Sequence, residues 1–170
     1  MKRQAAMHFA LALTVGALLA SCSQGSEGRD PEVNTTITAQ AAIGKTDQYI
    51  EMARQALSAE ARLISPFKQD SITCTDPASS TAKGRVMVSH NYEVAGLSPG
   101  DPAQHYAKIR DWWAKNSFRV TQDSQNGGYV LAENSSDGFT MMLRVNQGGK
   151  IYLGVSSPCV WPNGTPEPKN

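Results

Sequence analysis

Three thiols, three imidazoles and 15 carboxylates are the groups with chemistry to offer in this sequence. The first thiol, Cys22, closes the stretch ALLASC at the end of an apolar run, where a cysteine makes sense chiefly as the target of a modification. The other two, Cys74 and Cys159, show no CxxC spacing and no adjacent histidine, which argues against a metal site. HExxH, DxDxD and paired histidines are absent, so His90 and His105 lack partners at ligand spacing. His90 falls on the core-facing side of a strand and reads as a satisfied structural histidine. Nucleophile signatures such as GxSxG and SxxK are missing too. The glycine pairs Gly127-Gly128 and Gly148-Gly149 fall at hairpin positions rather than in a phosphate cradle. No catalytic residue, metal ligand or cofactor is therefore assigned, although any two of the acids can still converge in a fold.

The context of Cys22 is more informative. Met1-Lys2-Arg3 supplies a positive start, and Phe9 to Ala20 is an apolar run of signal-peptide length. Leu19-Ala20-Ser21-Cys22 then resembles the bacterial lipobox. That resemblance implies diacylglycerol transfer to the Cys22 thiol, cleavage after Ser21 and, in organisms with that step, acylation of the new amine. Two or three acyl chains make a lasting anchor where one does not, since each buried methylene contributes about 0.8 kcal/mol. The same run has two competing readings, an uncleaved span, for which roughly 17 to 25 apolar residues are needed, and an ordinary secretory signal. The lipoprotein reading places the chain on the extracytoplasmic side of a cell membrane, held through lipid on Cys22.

Removal of the first 21 of 170 residues leaves 149, the size of one domain. Lys2 and Arg3 leave with that segment, so 14 basic residues face 15 acidic ones. A near-neutral chain without clustered positive charge is no nucleic-acid binder. In an exported chain the remaining even pair, Cys74 and Cys159, most simply forms a disulfide.

The elements follow from periodicity. Residues 22–41 are polar, contain Pro31 and read as a flexible tether. Thr46 is the expected cap of a helix to about Ile64, with Ile50, Ala53, Leu57, Ala61 and Ile64 on one stripe. Asp70 to Lys83 reads as a turn-rich loop, and Arg85 to Val94 alternates as a half-buried strand. Asp101-Pro102 starts a second helix, with Tyr106, Ile109 and Trp113 inward and an end near Asn116. Phe118–Ser124, Tyr129–Asn134, Phe139–Asn146 and Ile151–Ser157 read as strands joined by short turns, hence antiparallel. Residues 161–170 form a polar, proline-rich tail.

The expected architecture is α+β, in the order α-β-α-β-β-β-β: an antiparallel sheet of about five strands with two helices on one face, spanning residues 42–160. Tyr129, Leu131, Met141 and Leu143 are assigned to the core. The opposite face is expected to carry Met87, Val130, Met142, Arg144 and Tyr152, a mixed surface suited to binding. Trp112, beside the inward Trp113, is a further candidate contact. The signal segment together with YLGVSSPCVWP resembles small exported lipoproteins of actinobacteria, of the LppA type, a compact α+β domain with a cysteine just after its last strand. The resemblance implies a cell-envelope protein and carries no catalytic residues to transfer. The expectation is a binding or accessory module that engages an envelope protein, a glycan or a small ligand. An envelope hydrolase and a purely structural envelope protein are the alternatives.

Overall fold

The computed structural model describes residues 35–75, 84–97, 102–124 and 128–166. Cys22, the signal segment, most of the tether, the Asp101 cap and the Asn126-Gly127 turn lie outside the described residues. The described chain runs α1 (Ala39–Leu57), β1 (Arg62–Thr73), β2 (Val86–Ala95), α2 (Pro102–Lys115), β3 (Phe118–Ser124), β4 (Tyr129–Asn134), β5 (Thr140–Val145) and β6 (Ile151–Ser156). All strands pair antiparallel in one sheet ordered β1-β2-β6-β5-β4-β3, and the helices pack against it. The class is α+β as expected, with a sixth strand that periodicity did not reveal.

That strand replaces the end of the expected first helix. Helix α1 starts earlier, at Thr38, whose hydroxyl accepts from the Ala41 amide at 3.1 Å. Thr46, expected to be the cap, is instead buried mid-helix on the stripe Ala42, Thr46, Ile50, Ala53 and Leu57. The helix stops at Ser58, which is extended, while the Arg54 guanidinium reaches forward to the Ala61 carbonyl at 2.6 Å. Beyond it β1 takes the edge of the sheet, where Pro66 is tolerated because it falls in an irregularity of the pairing between Ile64 and Phe67. Its pairing with β2 shifts register between Ile64 and Phe67 and again between Gln69 and Ile72. Each bulge resets the alternation of faces, so the sequence shows no period of two there.

Helix α2 buries His105, Tyr106, Ile109 and Trp113, and the Trp113 indole N–H lies 3.1 Å from the Met141 sulfur. One continuous core joins these residues to Ile50, Ala53 and Leu57 of α1 and to Val88, Val130, Ala132, Met141, Leu143, Leu153 and Val155 of the sheet. The Thr36 and Ala39 amides donate to the Gly164 and Pro162 carbonyls, and Trp161 is buried. The segment just after Cys159 is thereby packed against the start of α1.

Cys74 and Cys159 form a disulfide with Cα atoms 6.2 Å apart, closing 85 residues of sequence. It ties the end of edge strand β1 to the chain leaving β6, across β2. Beside it Val86 and Val160 form an isolated bridge, so the staple sits on a hydrogen-bonded corner.

Candidate functional site

With both helices on one side, the opposite face of the sheet is open among the described residues. Register places its side chains in three rows that cross the strands. The first runs Ile64, Glu93, Tyr152, Arg144, Tyr129, Ser124 from β1 to β3. The second runs Phe67, Asn91, Gly154, Met142, Leu131, Gln122, and the third, wholly polar, runs Gln69, Ser89, Ser156, Thr140, Glu133, Arg119. Met87 and Ile72 extend the face at its far end.

A Cβ at Gly154 would meet the Asn91 side chain, whose amide lies over the glycine from the neighbouring strand and would have to turn aside. The low centre is flanked by hydroxyls, with Ser156 Oγ donating to Ser89 Oγ at 2.9 Å. Toward β4 a shallow depression of about 350 Å³ is lined by Tyr129, Leu131, Met142 and Arg144. The Tyr129 hydroxyl accepts from the Gln122 amide at 2.6 Å, which steadies the ring.

Four expected surface residues, Met87, Met142, Arg144 and Tyr152, do share this face. Val130 does not: it is fully buried, paired with Leu143 beneath the helices. Strand β4 has the opposite phase to that expected, because Ala132 and Val130 stand beside Met141 and Leu143 while Tyr129 and Leu131 stand beside Arg144 and Met142. Every residue from Tyr129 to Ala132 is apolar or aromatic, so alternation alone gives no preference. The usable signal was volume, since small Ala132 opposes Met141 where Trp113 comes down. Trp112 lies on the helix side, half-buried against the core with its ring 5.6 Å from that of Phe118, away from the open face.

One polar constellation was legible only in its histidine, read as a satisfied structural residue, and not in its carboxylates. His90 is fully buried, with Nδ1 2.8 Å from an Asp47 oxygen and Nε2 2.7 Å from an Asp70 oxygen. Asp47 comes from α1, Asp70 from β1 and His90 from β2, so one ring joins three elements. Lys68 adds contacts of 3.0 Å to both Asp47 oxygens. Burial pushes the Asp47 carboxyl up, but hydrogen bonds from His90 and Lys68 outweigh it and hold the group below its ordinary value. Carboxylates only accept, so both contacts are hydrogen bonds when the ring carries a proton on each nitrogen. Both ring nitrogens are engaged by carboxylates, so the assembly clamps α1, β1 and β2 together.

A second clamp fixes the β4–β5 turn to α1. Tyr49 donates to Asp137 at 2.7 Å, and Lys45 meets the same carboxyl at 2.7 Å. Burial, and then the hydrogen bond to Asp137, push the Tyr49 phenol upward. Burial works against the Asp137 charge, yet Lys45 and Tyr49 hold that carboxyl below its usual range.

Fold and face together define an antiparallel α+β module with one helix-covered face and one open face bearing rings, hydroxyls and an unpaired guanidinium. No family model, curated protein or solved structure matches the chain. Among the described residues no helix is long and apolar enough to cross a membrane, and no group of three or more His, Cys, Asp or Glu side chains is placed to hold a metal ion.

Proposed function

We propose that this chain is a lipid-anchored cell-envelope protein, attached through Cys22, whose open sheet face acts as a binding or accessory module on the extracytoplasmic side. The observation that supports the binding role is the uncovered row of Tyr152, Arg144 and Tyr129 beside Met142 and Leu131, with a depression among them. Large side chains with both apolar and polar atoms, held on rigid strands, supply contact area at small entropic cost. The anchor rests on the Leu19-Ala20-Ser21-Cys22 pattern behind its apolar run.

A photo-crosslinking residue placed at Met142 or Leu131 in living cells tests both halves, with Ala107 on the exposed side of α2 as the comparison. The expected result is adducts from the sheet positions only, in the membrane fraction. Substituting Met87, Met142 and Tyr152 together by alanine, with the crosslinker moved to Leu131, removes them while leaving the fold intact. Cys22→Ser turns the protein into a released or unprocessed form. Adducts from Ala107 alone would reject the face, and Cys22→Ser that still fractionates and migrates like wild type would reject the anchor.

A further inference from the structure

We infer that the ligand of the open face is a glycan that carries carboxylate groups; this rests on the binding role proposed above. The first row sets ring, guanidinium and ring on three successive strands, Tyr152 on β6, Arg144 on β5 and Tyr129 on β4. With strands about 4.8 Å apart, the two rings stand about 10 Å from each other with the cation midway. Tyrosine rings cover the C–H faces of a sugar and keep a hydroxyl for polar exchange. A guanidinium matches a carboxylate with two parallel N–H donors.

Charge favours an acid over a neutral sugar. The strand positions of this face carry Arg62, Arg119 and Arg144 against Glu93 and Glu133, and Glu93 is already paired with Lys150 at 2.9 Å. Among the described residues none of those three arginines has a salt-bridge partner.

The rest of the face favours a glycan over a protein. A protein interface needs a desolvated centre built on contiguous apolar anchors. Here the apolar stretch is short: Phe67 is parted from the Met142 and Leu131 pair by Asn91 and Gly154, and the next row is polar throughout. Asn91 has only a 3.5 Å contact to Ser89 among the described residues, so its amide is free to donate and accept, as are the hydroxyls of Thr140 and Ser156 in part. Such a surface exchanges hydrogen bonds with a hydroxyl-rich chain better than it excludes water.

The test is calorimetric titration of the full chain in detergent micelles with hexagalacturonate, a carboxylated oligosaccharide, and with cellohexaose as the neutral comparison. Expected is saturable binding of the acidic oligomer, at least tenfold weaker for Arg144→Ala, partly recovered in Arg144→Lys, and lost when Tyr129 and Tyr152 are both alanine. The neutral oligomer should bind at least tenfold more weakly than the acidic one. Equal affinity for the two oligomers, no change in Arg144→Ala, or no binding of the acidic oligomer would overturn the inference. Crosslinked adducts at Met142 that are protein and survive digestion of glycan would also overturn it, while leaving the open face as the binding surface. Absence of both titration and adducts removes the face itself.

Discussion

Replacing Cys74 and Cys159 together by serine is expected to lower the unfolding free energy by about 2–5 kcal/mol. The bridge closes 85 residues, and a loop of that size contributes about 4 kcal/mol in the chain-entropy account. Its position directs where the loss is felt. Strand β1 is an edge strand with most side chains exposed and two register shifts, and it pairs with β2 alone. Urea unfolding with and without reductant should therefore show a lower midpoint, and amide exchange should rise first in residues 62–73. A midpoint within error of the oxidised protein would mean that the corner formed by Val86 and Val160 holds without the bridge. Uniform acceleration through β5 and β6 would mean that β1 is no weak unit but part of the global transition.

His90→Phe is the second large effect. Phenylalanine occupies similar space and keeps the buried contact, but it removes two hydrogen bonds to charged carboxylates, each contributing roughly 1.5–3 kcal/mol. Asp47 and Asp70 keep side-chain exposures of 43% and 60%, so water can take over the acceptors and the net loss should fall near 2–4 kcal/mol. Cycles pairing His90→Phe with Asp47→Asn and with Asp70→Asn should give coupling of about 0.5–3 kcal/mol each. Additive double mutants would reject the clamp. The acid side follows from Asp47. Its folded-state pKa is lowered, so its contribution is complete above the unfolded value near 3.9 and is lost as pH falls through the folded one. Asp137 has the same direction, so wild-type stability should drop below about pH 4, and less steeply in Asp47→Asn.

What the sequence disclosed and hid has physical causes. Ile50, Ala53 and Leu57 were legible because a helix buried on one side writes its spacing into the chain. Its end was not, because Ala61 and Ile64 continue the same spacing by coincidence while belonging to the turn and to β1. The strand Arg62–Thr73 was hidden by bulges that twice shift which residues share a face, and by Pro66, which normally argues against a strand. The same irregularity hides the clamp, since Asp70 reads as loop in the sequence and only the pairing of β1 with β2 brings it to His90. The disulfide was legible in the even pair Cys74 and Cys159 that remains once Cys22 is set aside. Of the open face, Met142, Arg144 and Tyr152 were readable from β5 and β6, whereas β4, with an apolar or aromatic residue at four successive positions, offered no contrast to set its phase.

The register shifts of the sheet fall on β1 and β3, the two strands whose outer edges are open, while β2–β6, β5–β6 and β4–β5 pair without interruption. A kinked edge gives a neighbouring strand no straight row of amides and carbonyls to join, and Pro66 and Lys68 on β1 add to that refusal. Copies crowded side by side on a bilayer, as the proposed anchor would hold them, can therefore reach high surface density without zipping into a fibre. Among the described residues the sheet ends at six strands, with a register shift at each margin that disfavours a seventh.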